Sequence, residues 1–263
     1  MKQLFFYCAM MFATTAAFAQ YPTNGLVAYF PLNGDGNDVG PNSITPTYYA
    51  ATTVANRFSE ADRSVSLASA NQEYIEYDMT ANSALQLTGD FTIGFWSKMG
   101  TGYVADECFL SLGGKVVFSL ALPGNGSTRM MYSTTVPSGG GSASQSFGPT
   151  IWNHFIITRS GGTVSAYRNN SFAGSSSVGT AAITYDSNPV LRLGRNQAGG
   201  GSLNASMDDV FIYNRALDAT EIGQVYNSGV CNPITQAVTA TGPTTFCAGV
   251  PVDYTLSGLP LIS

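Results

Sequence analysis

Two adjacent carboxylates stand out in the segment MDDVFIY, residues 207–213, where Asp208 and Asp209 begin an apolar run typical of a β-strand. Side chains alternate between the two faces of a strand, so Asp208 is predicted to lie on the face of Val210 and Ile212. Asp209 is predicted to share the other face with the remaining apolar residues, Met207, Phe211 and Tyr213. Because both sets contain apolar residues, we expect both faces of this strand to be covered.

A carboxylate on a covered strand needs a partner, because burying an unpaired charge is costly. A calcium ion is a natural partner, since Ca²⁺ binds carboxylate and carbonyl oxygens. The loop NGDGNDVG, residues 33–40, offers such oxygens from Asp35 and Asp38, with Asn33 and Asn37 beside them. This loop is not an EF-hand, because the glutamate that ends an EF-hand loop is missing.

The candidate metal ligands are therefore Asp208, Asp38 and Asp35, and the predicted cofactor is a structural Ca²⁺. Alternatives stay open for each of them. Ordinary turn chemistry would equally explain Asp35 and Asp38. Asp208 would also be satisfied by a neighbouring backbone N–H or by Arg215. We interpret Asp209 as a structural residue.

Residues that could catalyse a reaction are scarce. His154 is the only histidine of the chain, and it lies in a strand-like segment beside Ile156, which favours a packing role. The chain lacks the G-x-S-x-G motif of a nucleophilic serine. We therefore predict no catalytic residues and no enzymatic activity. Trp96 and Trp152 are interpreted as core or sheet-face residues.

The elements that must position these residues are mostly strands. Short apolar or alternating segments recur between clusters of Gly, Asn, Ser and Pro, which is typical of strands joined by turns. The segments predicted as strands cover residues 25–32, 74–78, 90–99, 115–122, 129–135, 151–160, 163–170, 188–197 and 207–213. Residues 136–150, rich in Gly and Ser, are predicted to be a loop. Frequent strands without intervening helices predict an all-β, antiparallel two-sheet sandwich or jelly roll.

One short helix is predicted near residues 219–227, after the last of these strands. Asp218 would cap its N-terminus, and Glu221 three residues later would complete a capping box. Gly229 is placed to end the helix. Its narrow apolar stripe consists of Ile222, Val225 and Tyr226.

Composition and the N-terminus indicate an exported protein. Residues 1–19 combine Lys2, an apolar stretch and the A-x-A site Ala17–Ala19, as expected of a signal peptide. No later stretch is long and apolar enough to predict a membrane span. The formal net charge of −5 and the lack of a Lys/Arg cluster argue against nucleic acid as a partner. The predicted localisation is secreted, extracellular or at a bacterial cell surface.

The C-terminal residues differ in character from the rest. Residues 231–263 contain two strand-like pieces around a turn, too few to bury a core of their own. They fit either the start of a further module or a C-terminal extension. Cys108, Cys231 and Cys247 remain after removal of the leader, so at least one lacks a partner within the chain. A Cys231–Cys247 disulfide and a partner in a missing module both stay open.

Five segments in order resemble the concanavalin A-like, laminin-G-like (LamG, pentraxin-related) jelly rolls of bacterial exported proteins. The resemblance covers roughly residues 25–228, and its most specific element is MDDVFIYNRALDATEI. The segments are GLVAYFPLNGDGNDVGPN, RFSEADRSVSLASANQEYIEYD, LTGDFTIGFWSK, WNHFIITRSGGTVSAYRNN and LRLGRNQAGGGSLNASMDDVFIYNRALDATEIGQVYN. The tail resembles, on less sequence, an immunoglobulin-like repeat. Asn170 departs from the usual hairpin glycine but tolerates a left-handed conformation.

The resemblance implies an all-β, two-sheet antiparallel jelly-roll sandwich with one short C-terminal helix over residues 20–230, and a partial Ig-like module or extension over 231–263. It also implies a calcium ion at the rim, bound by the Asp that lies two residues before a core-facing Val, a position that Asp208 matches. The implied role is non-catalytic recognition or adhesion toward glycans or other extracellular polymers, within a longer chain. Loops 121–128, 136–146 and 195–204, with Tyr103 and Tyr132, are candidate sugar contacts.

Two other functions remain as hypotheses. Glycosidases that share this sandwich carry paired acids as E-x-D-x-E on one strand. The nearest segment here is EYIEYD, residues 73–78, in which Glu76 and Asp78 share a face and Glu73 does not. A polysaccharide-cleaving hydrolase using Glu73 and Glu76 is the first hypothesis. A structural spacer without a ligand is the second.

Overall fold

A computed structural model describes residues 21–122, 129–136, 139–228, 239–241 and 255–257, with side chains for residues 21–122 and 146–228. The predicted signal peptide, residues 1–19, lies outside the described residues. The chain divides into two compact units, Pro22–Tyr226 and a second unit of Met1–Tyr21 with Asn227–Ser263. Of the second unit, the structure describes a two-stranded antiparallel sheet of Thr239–Thr241 and Thr255–Ser257.

The described residues of the larger unit form strands and one α-helix. The strands are β1 Leu26–Phe30, β2 Tyr48–Tyr49, β3 Thr52–Val54, β4 Ser64–Leu67, β5 Ile75–Asp78, β6 Phe91–Met99, β7 Cys108–Leu112, β8 Val116–Ala121, β9 Arg129–Val136, β10 Gly139–Ser146, β11 Asn153–Ser160, β12 Thr163–Arg168, β13 Ser171–Ser177, β14 Val190–Leu193 and β15 Ala205–Tyr213. The helix α1 is Ala219–Asn227. Short 3₁₀ turns occupy Ser69–Asn71 and Ser83–Leu85.

The strands form two antiparallel sheets. The eight-stranded sheet has the order β13-β12-β11-β6-β15-β4-β3, with β1 also paired to β15. The seven-stranded sheet has the order β10-β9-β8-β7-β14-β5-β2. Neighbours in space are often distant in sequence, as expected when a chain crosses repeatedly between two layers. The predicted all-β sandwich with one short C-terminal helix is confirmed.

Apolar side chains from both sheets fill the space between them. Phe95 of β6 lies 5.0 Å from Phe118 of β8 and 5.8 Å from Phe109 of β7, measured between ring centroids. Phe155 of β11 contacts the same group, 5.8 Å from Phe95. Aromatic rings in these offset and edge contacts stabilise a core beyond their buried area. The strand predicted over residues 90–99 therefore has an inner face, formed by Phe91, Ile93 and Phe95.

A β-bulge interrupts the alternation of β15. Asp208 is paired with Trp96, but the next paired residue is Phe211, opposite Gly94. One extra residue on β15 is accommodated by Asp209, whose φ of 47° lies in the left-handed region. Asp tolerates this conformation better than most residues because its short polar side chain can bond locally.

Because of the bulge, the residues of β15 are not distributed between the two faces of the strand as predicted. Met207 before the bulge and Val210 and Ile212 after it all belong to the core between the sheets. The prediction that Asp208 shares a face with Val210 and Ile212 is therefore wrong. Asp208 and Asp209 both approach a side chain on the outer side of the eight-stranded sheet, as described below.

Two hairpins connect strands of the eight-stranded sheet as the sequence predicts. Gly161 and Gly162 both have positive φ, 53° and 84°, in the turn between β11 and β12. Asn169 and Asn170 play the same role between β12 and β13, with φ of 49° and 63°. The left-handed conformation predicted for Asn170 is confirmed.

The prediction of a loop over residues 136–150 is wrong for its central part. Residues 139–146 form β10, which pairs along its whole length with β9, from Gly139 opposite Val136 to Ser146 opposite Arg129. Gly and Ser have low intrinsic strand propensity. Pairing with the edge of an existing sheet is what makes this segment a strand.

The helix α1 begins as its sequence predicts. Glu221 N donates to Asp218 Oδ1 at 2.9 Å, and Asp218 N donates to Glu221 Oε2 at 3.0 Å, which completes a capping box. Arg215 forms a bidentate ion pair with the same Glu221 carboxylate. Ile222 and Val225 are buried on one side of the helix. Gly229, the predicted end of the helix, lies outside the described residues.

Candidate functional site

The predicted metal ligand Asp208 is paired with an arginine. Arg57 Nη1 donates to Asp208 Oδ2 at 2.8 Å and to Asp209 Oδ2 at 2.6 Å. The bulge in β15 allows both carboxylates to reach one guanidinium. All three side chains are nearly buried, with exposed fractions of 6% for Arg57, 3% for Asp208 and 10% for Asp209. Asp208 therefore pairs with Arg57 and not with Arg215, which was one of the expected partners and pairs with Glu221 instead.

This acid–arginine cluster, which consists of Arg57, Asp208 and Asp209, carries an excess of buried negative charge if both acids ionise. Burial, and next the neighbouring charge of Asp209, raise the pKa of Asp208 above its ordinary value. Arg57 opposes that rise by its charge and its hydrogen bond. Protonation of Asp208 would make the cluster neutral, which suits its low exposure.

The acids of loop 33–40 have backbone partners instead. Asp38 Oδ1 accepts from the backbone N–H groups of Tyr29, at 2.8 Å, and Gly40, at 2.6 Å. Asp35 Oδ1 accepts from Asn37 N at 2.9 Å, as in ordinary turn chemistry. Tyr29 also joins this loop to β15, because its hydroxyl donates to Asp209 Oδ1 at 2.6 Å.

These placements do not assemble a calcium site. In the part of the chain that the structure describes, no three residues among His, Cys, Asp and Glu form a group that could hold a metal ion. The oxygens of Asp208, Asp38 and Asp35 are engaged by hydrogen-bond donors, and Arg57 brings a positive charge to the position that a cation would take. The residues as placed do not fit a shared Ca²⁺, and calcium binding stays a prediction.

Aromatic residues cover the outer side of the eight-stranded sheet next to the acid–arginine cluster. The Arg57 guanidinium lies 4.7 Å from the centroid of the Trp96 ring. Tyr226 of α1 stacks on Trp96 at 5.3 Å, and His154 lies 4.9 Å from Trp96. Burial first, and the charge of Arg57 second, lower the pKa of His154 to about 3. His154 is thus a neutral packing residue, in agreement with its interpretation from sequence.

The outer side of the seven-stranded sheet presents a different group, which we call the tyrosine–arginine face: Tyr48, Tyr74, Glu76, Arg192 and Arg195. The register places its central members side by side. Tyr48 of β2 is opposite Glu76 of β5, and Glu76 is opposite Arg192 of β14. Within β5 the alternation is strict, because the intervening residues Ile75 and Tyr77 are fully buried in the core.

The two tyrosines of this face stack on each other. Their ring centroids are 4.4 Å apart and their planes are inclined by 25°. Tyr48 is 44% exposed, so the outer ring of the stack is open to solvent. Arg192 and Arg195 lie over the Tyr74 ring, with guanidinium carbons 5.3 Å and 5.4 Å from its centroid. Such cation–π contacts fix the ring and both guanidinium groups in place.

Backbone carbonyl groups of the loop after β14 accept hydrogen bonds from both arginines. Arg192 Nη1 donates to the carbonyl oxygens of Asn196 and Gln197, both at 2.9 Å, while its Nε donates to Glu76 at 2.7 Å. Arg195 Nε donates to Gly199 O at 2.8 Å. This loop is part of residues 195–204, one of the segments that the sequence nominated for ligand contact.

The acids considered for hydrolysis are engaged separately. Glu73 Oε2 accepts from Ala68 N at 2.8 Å, and Asp78 Oδ1 accepts from Thr80 N at 2.6 Å. Glu76 is paired with Arg192 on the tyrosine–arginine face. Glu73 and Glu76 therefore do not form a matched acid and base in this arrangement.

The other residues nominated from sequence have varied positions. Tyr103 packs partly buried against the core rather than standing free as a platform. The side chain of Tyr132 lies outside the described residues, as do Cys231 and Cys247. Trp152 is partly buried, with Lys98 Nζ 5.5 Å from its ring centroid. Cys108 is a buried free thiol.

Comparison with known proteins extends these observations. Residues 69–223 match a laminin G family model described as the concanavalin A-like lectin/glucanases superfamily. No curated protein matches the sequence significantly.

Many solved structures share the fold. They include the binding domain of botulinum neurotoxin serotype C1, with a TM-score of 0.60 and 10% identity. The binding domain of Paraclostridial Mosquitocidal Protein 1 has a TM-score of 0.58 and 16% identity. The binding domain of botulinum neurotoxin DC in complex with SialylT has a TM-score of 0.57 and 12% identity. In each case 78% of this chain is covered, but only 52% of the other, so the chain spans about half the length of these neighbours.

The family match covers more than half of the chain and coincides with the strands of both sheets from β5 to β15. The sequence resemblance to laminin-G-like jelly rolls is thereby confirmed for this region, whereas the Ig-like tail stays a prediction. This chain belongs to the concanavalin A-like lectin/glucanases superfamily.

Proposed function

We propose that this chain is an exported, non-catalytic recognition module whose jelly-roll domain binds carbohydrate of an extracellular polymer. The observation that carries the proposal is the solvent-open ring of Tyr48 stacked on Tyr74 at the edge of the seven-stranded sheet. An exposed, rigidly held aromatic ring suits the apolar face of a sugar, and polar groups around it suit the hydroxyls. Export rests on the predicted signal peptide. No helix of the described residues is long and apolar enough to cross a membrane.

The surroundings of Tyr48 support recognition rather than catalysis. Glu76 is the acid nearest to it in the register, and its carboxylate accepts from Arg192 Nε at 2.7 Å. A general acid must present its carboxyl group to the glycosidic oxygen, whereas the Glu76 carboxylate is engaged by the arginine. The structural neighbours are binding domains, which agrees with a binding role.

Binding to a glycan array tests the proposal, with the chain from residue 20 as wild type and as Tyr48→Ala. Phe172→Ala is the matched control, because Phe172 is also an exposed aromatic residue, 62% exposed, but lies on β13 of the other sheet. We expect Tyr48→Ala to weaken binding to the recognised glycan about tenfold, equivalent to ~1.4 kcal/mol. Phe172→Ala should leave binding unchanged. Absence of binding to any glycan, or equal losses in both variants, would contradict the proposal.

A reducing-sugar assay with β-glucans addresses the hydrolase hypothesis. We expect no release of reducing ends by the wild type. Activity that disappears in Glu76→Gln would instead establish the hydrolase. A ligand-free spacer would show neither binding nor hydrolysis.

A further inference from the structure

We propose that the tyrosine–arginine face selects a carboxylate-bearing pyranose, such as a uronic acid residue, with Arg195 binding the carboxylate and Tyr48 the ring. This inference rests on the proposed function and names the class of sugar that the same surface takes. Its basis is the unequal state of the two guanidinium groups on this face.

The first guanidinium, that of Arg192, is already neutralised. Its Nε lies 2.7 Å from Glu76 Oε2, and its Nη1 serves two loop carbonyls. Both side chains of this ion pair are mostly covered, with exposed fractions of 18% for Arg192 and 20% for Glu76. Arg192 therefore positions the loop after β14, and few of its N–H groups remain to donate to a ligand.

The second guanidinium, that of Arg195, has no acidic partner among the side chains that the structure describes. Its Nε is bonded to Gly199 O, and its plane is held near the Tyr74 ring. The terminal nitrogens, Nη1 and Nη2, remain to donate to a ligand, and the residue is partly buried. An arginine held in this way loses little conformational freedom when it binds.

The charge and hydrogen-bonding geometry of the Arg195 guanidinium indicate which chemical group it binds. Its planar fork of N–H donors matches a carboxylate, with charge-assisted hydrogen bonds roughly twice as strong as neutral ones. On a chain of formal net charge −5, this uncompensated cation is a local exception beside an exposed aromatic ring. Tyr48 and Arg195 both contact the Tyr74 ring, at 4.4 Å and 5.4 Å, so a sugar that carries one carboxylate would use both features together. A neutral sugar uses the ring alone, and a polyanion such as nucleic acid would need a wider basic surface.

The test uses oligogalacturonate, oligomannuronate, oligoglucuronate and 3′-sialyllactose, each beside its carboxyl-reduced counterpart, in calcium-free buffer. Calorimetry compares the wild type with Arg195→Met, Arg195→Lys and the control Arg63→Met. Arg63 is an exposed arginine beside β4 of the other sheet, so its replacement removes the same charge elsewhere. Thermal melting of each variant shows that the fold is retained.

We expect at least one acidic sugar to bind ten times or more tightly than its reduced form, and less tightly as NaCl rises. Arg195→Met should abolish this preference while leaving binding of the reduced sugar within about twofold. Arg195→Lys should keep part of the preference, and Arg63→Met all of it. If the reduced sugars bind as well as the acidic ones, the inference is overturned while carbohydrate recognition stands. If the preference survives in Arg195→Met, the acidic subsite lies elsewhere, and if no sugar binds, both proposals fail.

Discussion

Arg57 and Asp208 form an ion pair, 2.8 Å between Nη1 and Oδ2, between residues 151 positions apart in the chain. The pair lies outside the hydrophobic core, on the outer side of the eight-stranded sheet beside Trp96. Arg57 also lies against the rings of Trp96 and Phe58, so it contributes packing as well as charge.

Replacing Arg57 with Met should destabilise the domain strongly. The change leaves two buried carboxylates without the guanidinium that both contact, and breaking a buried pair in this way costs about 3–5 kcal/mol. Adding Asp208→Asn should recover part of the loss, because a neutral amide at this position needs no guanidinium as a counter-charge. Urea denaturation of the single and double variants measures both effects.

Lys115→Met provides the control for that experiment. Lys115 Nζ lies 2.9 Å from Asp186 Oδ2, but the Asp186 side chain is 71% exposed. Exposed pairs contribute about 0–1 kcal/mol, so this variant should be close to wild type. Equal losses in Arg57→Met and Lys115→Met would show that the buried pair contributes no more than a surface one.

The stability of the domain should depend on the protonation of His154. Its pKa is lowered to about 3 in the folded state because it is buried and close to Arg57. The unfolded chain takes up this proton near pH 6.5, so the contribution of neutral His154 is complete above that pH and is lost as the pH falls toward 3. Between pH 7 and pH 5 this amounts to about 2 kcal/mol.

Comparison of wild type with His154→Gln isolates the effect. Urea denaturation at pH 7, 6 and 5 should show the wild type losing stability more steeply than the variant as the pH falls. Carboxylates and Arg57 are common to both proteins, so their contribution cancels in the difference. Identical pH dependence would mean that His154 has the same pKa in the folded and the unfolded protein.

Cys108 should be inert toward thiol reagents while the domain is folded. The residue is buried, and burial raises the pKa of its thiol to about 12, so little reactive thiolate exists near neutral pH. Titration with a chromogenic disulfide should count the same number of thiols in native wild type and native Cys108→Ala. In denaturant the wild type should show one more. A native difference between the two proteins would place Cys108 within reach of solvent.

Calcium binding at Asp208, Asp38 and Asp35 is testable by thermal melting. A site that binds Ca²⁺ only in the folded state raises the melting temperature with calcium and lowers it with EDTA. In the calcium hypothesis the shift disappears in Asp208→Asn. A melting temperature that is indifferent to both additions would leave Arg57 as the counter-charge of Asp208.

Local features of this fold could be predicted from sequence. The capping box of α1 depends on Asp218 and Glu221, three residues apart, and the β11–β12 hairpin on two adjacent glycines. The strands predicted near residues 90–99 and 207–213 correspond to β6 and β15 because their apolar residues must meet the opposite sheet. In each case the residues that decide the conformation are neighbours in the chain.

Features that depend on residues far apart in the chain were not predicted from the sequence. Nothing near Arg57 indicates that it will meet Asp208, and only the order of strands brings them together. Residues 139–146 become a strand through pairing with β9, against the weak propensity of Gly and Ser. The tyrosine–arginine face was missed for the same reason, since Tyr48 and Arg192 come from β2 and β14. The one available signal was the alternation over residues 74–78, which places Tyr74 and Glu76 on the side opposite to Ile75 and Tyr77.

The extra residue in β15 makes the packing of its inner face independent of the number of acids on its outer face. Asp209 can be regarded as an insertion, since without it Met207, Val210 and Ile212 would still point toward the interior at every second position. The interior of the sandwich therefore places no constraint on whether one acid or two faces Arg57. The charge next to Arg57, on the outer side of the eight-stranded sheet, can change by gain or loss of a single residue while the packing between the sheets stays the same.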